Sequence, residues 1–189
     1  MEGDNLKIAV VGEMRSGKDT LAKYFIERGY RQFAFADGIK EVINMFFPHL
    51  WAEGKPRKAL QVIGQAFRAI EPDYWIKKLD KKVYWYERIF GHKQDINVIV
   101  TDLRQPNEYD YLKAQGYTVI KVYADLEIRI QRAEAAGDVF DMESLNHETE
   151  KFIKDIPCDI FVENNGTLEE LLYNAETIYK QLGGTKCKD

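Results

Sequence analysis

VVGEMRSGKDT, residues 10–20, decides the fold. Gly12, four residues, then Gly17-Lys18 is the spacing of a phosphate-binding loop. What flanks it supports that reading. KIAVVG, residues 7–12, is rich in β-branched residues and stops at Gly12, as a buried parallel strand does. Beyond it, Leu21, Ala22, Phe25 and Ile26 share one face of a helix over about 17–28, which Gly29 ends. A glycine-rich turn between strand and helix aims several backbone N–H groups at one point, and the helix N-terminus adds partial positive charge. Polyphosphate is the anion this arrangement fits. Gly12, Arg15, Ser16, Gly17, Lys18, Asp19 and Thr20 are therefore the candidate nucleotide-phosphate loop. Lys18 would reach the β- and γ-phosphates, and Arg15 adds a second cation.

One residue is unusual. The position after the lysine is normally Ser or Thr, whose hydroxyl ligates magnesium, and here it is Asp19. A carboxylate can hold magnesium directly or through water, and Thr20 still offers a hydroxyl to phosphate. The competing reading is that Asp19 merely caps the helix.

The rest of the chain repeats the alternation. QFAFA (32–36), NVIVTD (97–102), YTVIKVYA (117–124) and DIFVEN (159–164) read as four more strands, each followed by a helical pattern. Pro106 suits a helix's first turn, Asp125 an N-cap, and Thr167 with Glu170 a capping box. Leu168, Leu171, Leu172, Ala175 and Leu182 line the last helix. Two helices interrupt the alternation in the middle, broken at Glu71-Pro72-Asp73. Leu60, Ile63 and Phe67 form an apolar face on the first, and Trp75, Ile76, Leu79 and Val83 continue the second. The expected fold is α/β: one P-loop domain over 1–189, a five-stranded mostly parallel sheet covered by helices on both faces. A helical insertion occupies about 48–92, between strands two and three, and a lid-like segment about 125–152.

Composition narrows the class. The 189 residues, 45% hydrophobic, suffice for one core and are short for two. Two distant cysteines make no disulfide framework, so a reduced, cytoplasmic setting is expected. No apolar stretch approaches membrane-span length. A net charge of −4 with no basic stripe argues against a nucleic-acid polymer as partner, and so against a polynucleotide end-kinase.

A phosphate donor site directs attention to the carboxyl ends of the other strands, where doubly wound sheets bind ligands. Asp37 and Lys40 follow the second strand; Asp102, Arg104, Gln105 and Glu108 follow the third. Arg104 can grip a phosphate bidentately, and Asp102 ends an apolar strand as a magnesium-associated carboxylate does. The competing reading is that Asp102 and Arg104 form a structural ion pair. Arg129 and Arg132, three apart after the fourth strand, are candidates to stabilise the transferred group, with a solvated helix face as the alternative. On the insertion, Gln61, Gln65 and Arg68 form a polar stripe that, with Tyr74 and Trp75, suits a flat hydrogen-bonding base. Periodicity alone places Trp75 in a core just as readily.

As a set, these motifs resemble the phage-type deoxynucleoside monophosphate kinases. RSGKDT (15–20), FADGIKE (35–41), LQVIGQAFRAIEPDYWI (60–76), TDLRQPNE (101–108), HETE (147–150) and FVENNGTLEELL (161–172) stand in order across nearly the whole chain. SGKDT with Asp is itself a family trait. The resemblance implies transfer of the γ-phosphoryl group of ATP, with Mg2+, to a deoxynucleoside 5′-monophosphate. Arg15, Gly17, Lys18, Asp19 and Thr20 would then serve ATP and magnesium, with Asp19 and Asp102 as metal-associated carboxylates. Trp75, Asp102, Arg104, Gln105 and Glu108 would surround the monophosphate, with Lys40 as a phosphate contact. Relatives also suggest a homodimer. His147 and Glu148 fall in a family motif without an assigned role. The segment Phe47–Arg57 is shorter than in some relatives, which bears on base selectivity. Two rivals remain: a kinase for another acceptor, phosphomevalonate-like or dephospho-coenzyme A-like, and a regulatory module that holds ATP without transfer.

Overall fold

The computed structural model describes residues 6–52, 54–91, 96–137 and 148–183. It divides into two compact units, residues 1–32 with 96–189, and residues 33–95. The first is built on a five-stranded sheet. Its strands are β1 (Lys7–Val11), β2 (Arg31–Phe33), β3 (Val98–Val100), β4 (Thr118–Tyr123) and β5 (Ile160–Glu163), in the order β2-β3-β1-β4-β5. β1 runs parallel to β3 with Ile8 opposite Ile99, and to β4 with Val10 opposite Ile120; β4 is parallel to β5. Strand order thus reverses direction at β1, which places a crevice at its carboxyl end.

The sheet is buried on both faces, which is why its strands read as unbroken apolar runs. Ile8, Val10, Ile99, Ile120, Val122 and Val162 face Leu21 and Phe25 of α1 (Lys18–Ile26) and Leu171, Ala175 and Ile178 of the C-terminal helix (Leu168–Gln181). Ala9, Val11, Val98, Val100 and Val119, on the alternate positions, are fully buried too. The stripe of the C-terminal helix is therefore Leu171, Ala175 and Ile178, with Leu182 packed partly buried on the same core as expected; Leu168 and Leu172, also expected within it, are 56% and 37% exposed.

The second unit is helical. α2 (Ala36–Phe46) leads through a 3-10 turn (Pro48–Trp51) to α3 (Arg57–Ile70) and α4 (Tyr74–Phe90). The insertion expected from about 48 to 92 lies within this unit, which also takes in α2. Phe33, Ala34, Phe35, Ile39, Ile43, Trp75, Ile76, Leu79 and Val83 are the buried apolar residues among its described residues. Gly38 lets α2 approach α4, since a Cβ there would stand 3.0 Å from the Trp75 ring. The face of Leu60, Ile63 and Phe67 is only half-buried.

Local chemistry corrects the sequence reading in three places. QFAFA is a strand only through Phe33, because the Ala34 N–H donates to the Asp37 carboxylate and turns the chain into α2. Asp125 precedes α6 (Leu126–Ala135), after α5 (Pro106–Ala114), but does not cap it. Its carboxylate instead accepts the Tyr123 hydroxyl and the Asn165 amide. A short helix not read from the sequence, α7 (Glu148–Asp155), precedes β5, and the C-terminal helix is accordingly α8. The Thr167–Glu170 capping box forms as expected. His147 and residues 138–146 of the lid-like segment lie outside the described residues. No described helix is long and apolar enough to cross a membrane.

Candidate active site

Because β1, β3, β4 and β5 run parallel, the loops at their carboxyl ends share one edge of the first unit's sheet. The loop after β1 has the backbone a phosphate cradle needs. Arg15 and Gly17 both take positive φ, 61° and 97°, and the Ser16 N–H closes a turn on the Glu13 carbonyl at 3.2 Å. For Arg15 this is a sparsely populated conformation, of the kind held at functional sites. α1 starts at Lys18 with no side-chain cap, so its first N–H groups are not taken by a capping side chain. Ser16 is 1% exposed, and its hydroxyl has no partner among the described residues. The Lys18 ammonium stands 3.2 Å from the Asp19 carboxylate, the former side chain 12% and the latter 83% exposed.

Two side chains that sequence reading did not single out complete this loop. The Asn164 amide, at the end of β5, donates to the Ser16 carbonyl at 2.8 Å. It fits only because residue 17 is glycine: a Cβ there would lie 2.2 Å from its Nδ2. Glu13, 7% exposed, accepts from the Arg129 guanidinium at 3.1 Å. Asn164 was legible as a polar residue ending an apolar strand. Glu13 was legible as a carboxylate inside an anion-binding loop, which calls for a cation.

Arg129 is buried, 6% exposed, and not on a solvated helix face. Besides Glu13 it donates Nε to the Ala124 carbonyl at 3.2 Å and Nη1 to the Met14 carbonyl at 3.4 Å. Arg132, three residues on, is partly exposed and donates Nη2 to the Gly166 carbonyl at 3.2 Å. That loop is tied to α6 a second time, by the Asp125 N–H on the Asn165 side-chain oxygen at 2.8 Å.

At the end of β3, next to β1, come Asp102 and Arg104, both partly exposed. Glu108 is 2% exposed and faces the chain rather than solvent. Its carboxylate accepts the Arg104 N–H at 3.0 Å and the Gln105 N–H at 3.1 Å. Gln105 returns the contact to the third residue of α5, making a capping box with Pro106 at the first turn. The structure therefore brings the phosphate loop, Arg129, Arg132, Asp102, Arg104, Gln105 and Glu108 onto one edge of the first unit.

The remaining candidates belong to the second unit. Asp37 and Lys40 form an i,i+3 ion pair at 3.0 Å. Gln65 is exposed and Arg68 partly exposed, both on α3. Trp75 is 1% exposed, donates its indole N–H to the Gly64 carbonyl at 3.0 Å and packs on the Phe67 and Tyr74 rings. Of its two readings, this packing is the core one.

The donor set suits magnesium carried with a polyphosphate. Asp19 and Asp102 offer two carboxylates, and no cluster of three or more candidate ligands occurs among the described residues. Magnesium is commonly held by one or two carboxylates plus substrate phosphates rather than by an all-protein cage.

The sequence profile of the family described as deoxynucleotide monophosphate kinase matches residues 53–175. A protein of Acanthamoeba polyphaga mimivirus, provisionally named a deoxynucleotide monophosphate kinase, is 28% identical over 86% of this chain and 90% of its own. A dephospho-CoA kinase of Chlamydia muridarum is 25% identical over 96% of this chain and 98% of its own. Among solved structures, TT1252 from Thermus thermophilus superposes with a TM-score of 0.57 at 20% identity, covering 94% of this chain and 98% of that one. That last likeness concerns the fold alone.

Proposed function

Since the chain belongs to the deoxynucleotide monophosphate kinase family, we propose that it transfers the γ-phosphoryl group of ATP to the 5′-phosphate of a deoxynucleoside monophosphate. The observation that carries this is the adjacency of two loops. The phosphate cradle after β1 and the clasped Asp102–Gln105 loop after β3 end neighbouring parallel strands.

An acceptor phosphate oxygen, already ionised near neutral pH, bonds to the γ-phosphorus while the bond to the β,γ-bridging oxygen breaks and ADP leaves. No general base is required, so the residues position and neutralise. The loop N–H groups and Lys18 hold the donor phosphates. Arg104 grips the acceptor phosphate through its planar fork, with its backbone fixed by Glu108. Arg132, on α6, adds positive charge beside the donor. Asp19 and Asp102 would hold magnesium, which would supply charge neutralisation to the phosphates. The second unit carries the remaining candidates, Gln65 and Arg68 for hydrogen bonding and Lys40, oriented by Asp37, for a phosphate contact, while Trp75 supports α3. The protein works in the cytoplasm, as a homodimer, on small nucleotides rather than nucleic-acid polymers.

A second reading, a different phosphorylated acceptor, is favoured by the near full-length match to a dephospho-CoA kinase. One assay separates the two. ATP, magnesium and each of the four common deoxynucleoside monophosphates, their ribonucleotide counterparts and dephospho-coenzyme A are incubated with the protein and with its Lys18→Ala and Arg104→Ala variants. Diphosphate formation lost in both variants supports the proposal. Phosphorylation of dephospho-coenzyme A alone supports the second reading, and ATP binding without transfer to any acceptor leaves a regulatory module.

A further inference from the structure

The Glu13 carboxylate is out of place in a loop that gathers N–H groups around an anion. An ionised carboxylate there repels a polyphosphate, and in a water-poor setting that repulsion is weakly screened. Its side chain is 9% exposed and that of its partner Arg129 is 6% exposed, so neither charge is relieved by solvent. The guanidinium offers five donors in a rigid fork. Its Nη2 lies on Glu13, Nη1 on the Met14 carbonyl and Nε on the Ala124 carbonyl, a three-point lock between the phosphate loop, the end of β4 and α6. A guanidinium held this way is poorly placed to reach a transferred phosphoryl group.

We propose that Glu13 is a positioning residue: it anchors Arg129 as an internal counter-ion, and the pair acts as one neutral brace that shapes the phosphate loop. The proposal rests on the kinase reading for its functional consequence. The brace also fixes the start of α6, and with it Arg132, one turn further along the same face. Breaking a buried pair by removing one partner is far worse than replacing both, because the survivor is left charged and unpaired. That asymmetry distinguishes a brace from a catalytic arginine.

The test is a double-mutant cycle on the full chain, with Glu13→Gln, Arg129→Met and the two combined. Met keeps much of the arginine stem's volume, and Gln keeps the carboxylate's shape. Affinity for ATP with magnesium is read by calorimetry, and kcat and KM separately by the transfer assay. Arg129→Met alone is expected to weaken ATP binding about tenfold or more, and the double variant to return it to within about threefold of the unaltered protein. A double variant as weak as Arg129→Met overturns the proposal and makes Arg129 a direct phosphate contact. Should Arg129→Met not fold, Glu13→Gln decides: ATP affinity within about threefold with kcat down about tenfold supports the brace, and unchanged kcat overturns it. If the unaltered protein binds ATP but phosphorylates no acceptor, the kinase reading fails while the binding cycle still tests the pair. An unaltered protein that binds no ATP overturns both.

Discussion

The Glu108 carboxylate accepts the peptide N–H of Arg104 at 3.0 Å, four residues back in the chain. It holds the neighbouring Gln105 N–H as well, so the residue proposed to grip the acceptor phosphate is fixed at its backbone. Glu108→Ala is expected to cost about 1 kcal/mol of stability, as loss of a helix cap does, and to raise KM for the acceptor more than KM for ATP. Glu108→Gln, whose amide oxygen still accepts, should recover most of the acceptor KM. Steady-state kinetics with each substrate varied in turn checks this; equal effects on both KM values would rule out a role specific to the acceptor loop.

Lys18→Ala and Arg104→Ala should each lower kcat/KM by about 10²-fold or more with the melting temperature nearly unchanged, since both side chains serve charge rather than packing. Arg104→Lys should not restore the rate, because an ammonium lacks the planar fork. Recovery with lysine would mean that only charge matters at this position.

Gly17→Ala combines two faults. The left-handed φ of 97° costs a non-glycine residue roughly 1–2 kcal/mol, and the new methyl meets the Asn164 amide. ATP binding should be lost, and adding Asn164→Ala should restore only part of it, because the backbone strain stays. Full restoration, read by calorimetry, would show that the clash was the whole effect.

Trp75→Phe keeps an aromatic ring but leaves the Gly64 carbonyl without its indole donor, at an expected cost of about 1–2 kcal/mol in urea unfolding. Trp75→Ala should cost about 3–5 kcal/mol. A Phe variant of full stability but poor acceptor affinity would reverse the assignment and make the indole a base contact.

Asp159 predicts a pH dependence. Partial burial pushes its carboxyl up, but the hydrogen bond and charge of Lys113 and the Val119 N–H outweigh this and hold it below the usual carboxylate value. The folded value being depressed, its contribution is fully present above the unfolded pKa of about 3.9 and is lost as pH falls through the lower folded value. A melting-temperature series from about pH 6 to about pH 2 should therefore fall less steeply at its acid end in Asp159→Asn than in the unaltered protein. An identical acid limb would remove Asp159 from the acid response.

Strands and the phosphate loop were legible because their signals are local. An apolar run ending in glycine, followed by a 3.6-residue period, is written within about twenty residues. What was misread depends on side-chain partners, near or far in the chain, that periodicity does not report. The alternation of QFAFA cannot report the Asp37 carboxylate that turns the chain at Ala34. Asp125 looks like a cap until Asn165, forty residues away, takes its carboxylate. Glu13 and Arg129 are 116 residues apart, and neither carries a pattern that names the other. Glu108 was read as a substrate contact, and no pattern in the sequence announces that its carboxylate holds the backbone N–H groups of Arg104 and Gln105.

The amide of Asn164 reaches back 148 residues to the carbonyl of Ser16. The phosphate loop is thus spelled out early in the chain and finished late. A nascent chain leaving the ribosome carries the loop's sequence long before the last strand arrives to set its shape. Nucleotide capture is consequently a late event in the life of each molecule, and a fragment ending before β5 would possess the motif without the site.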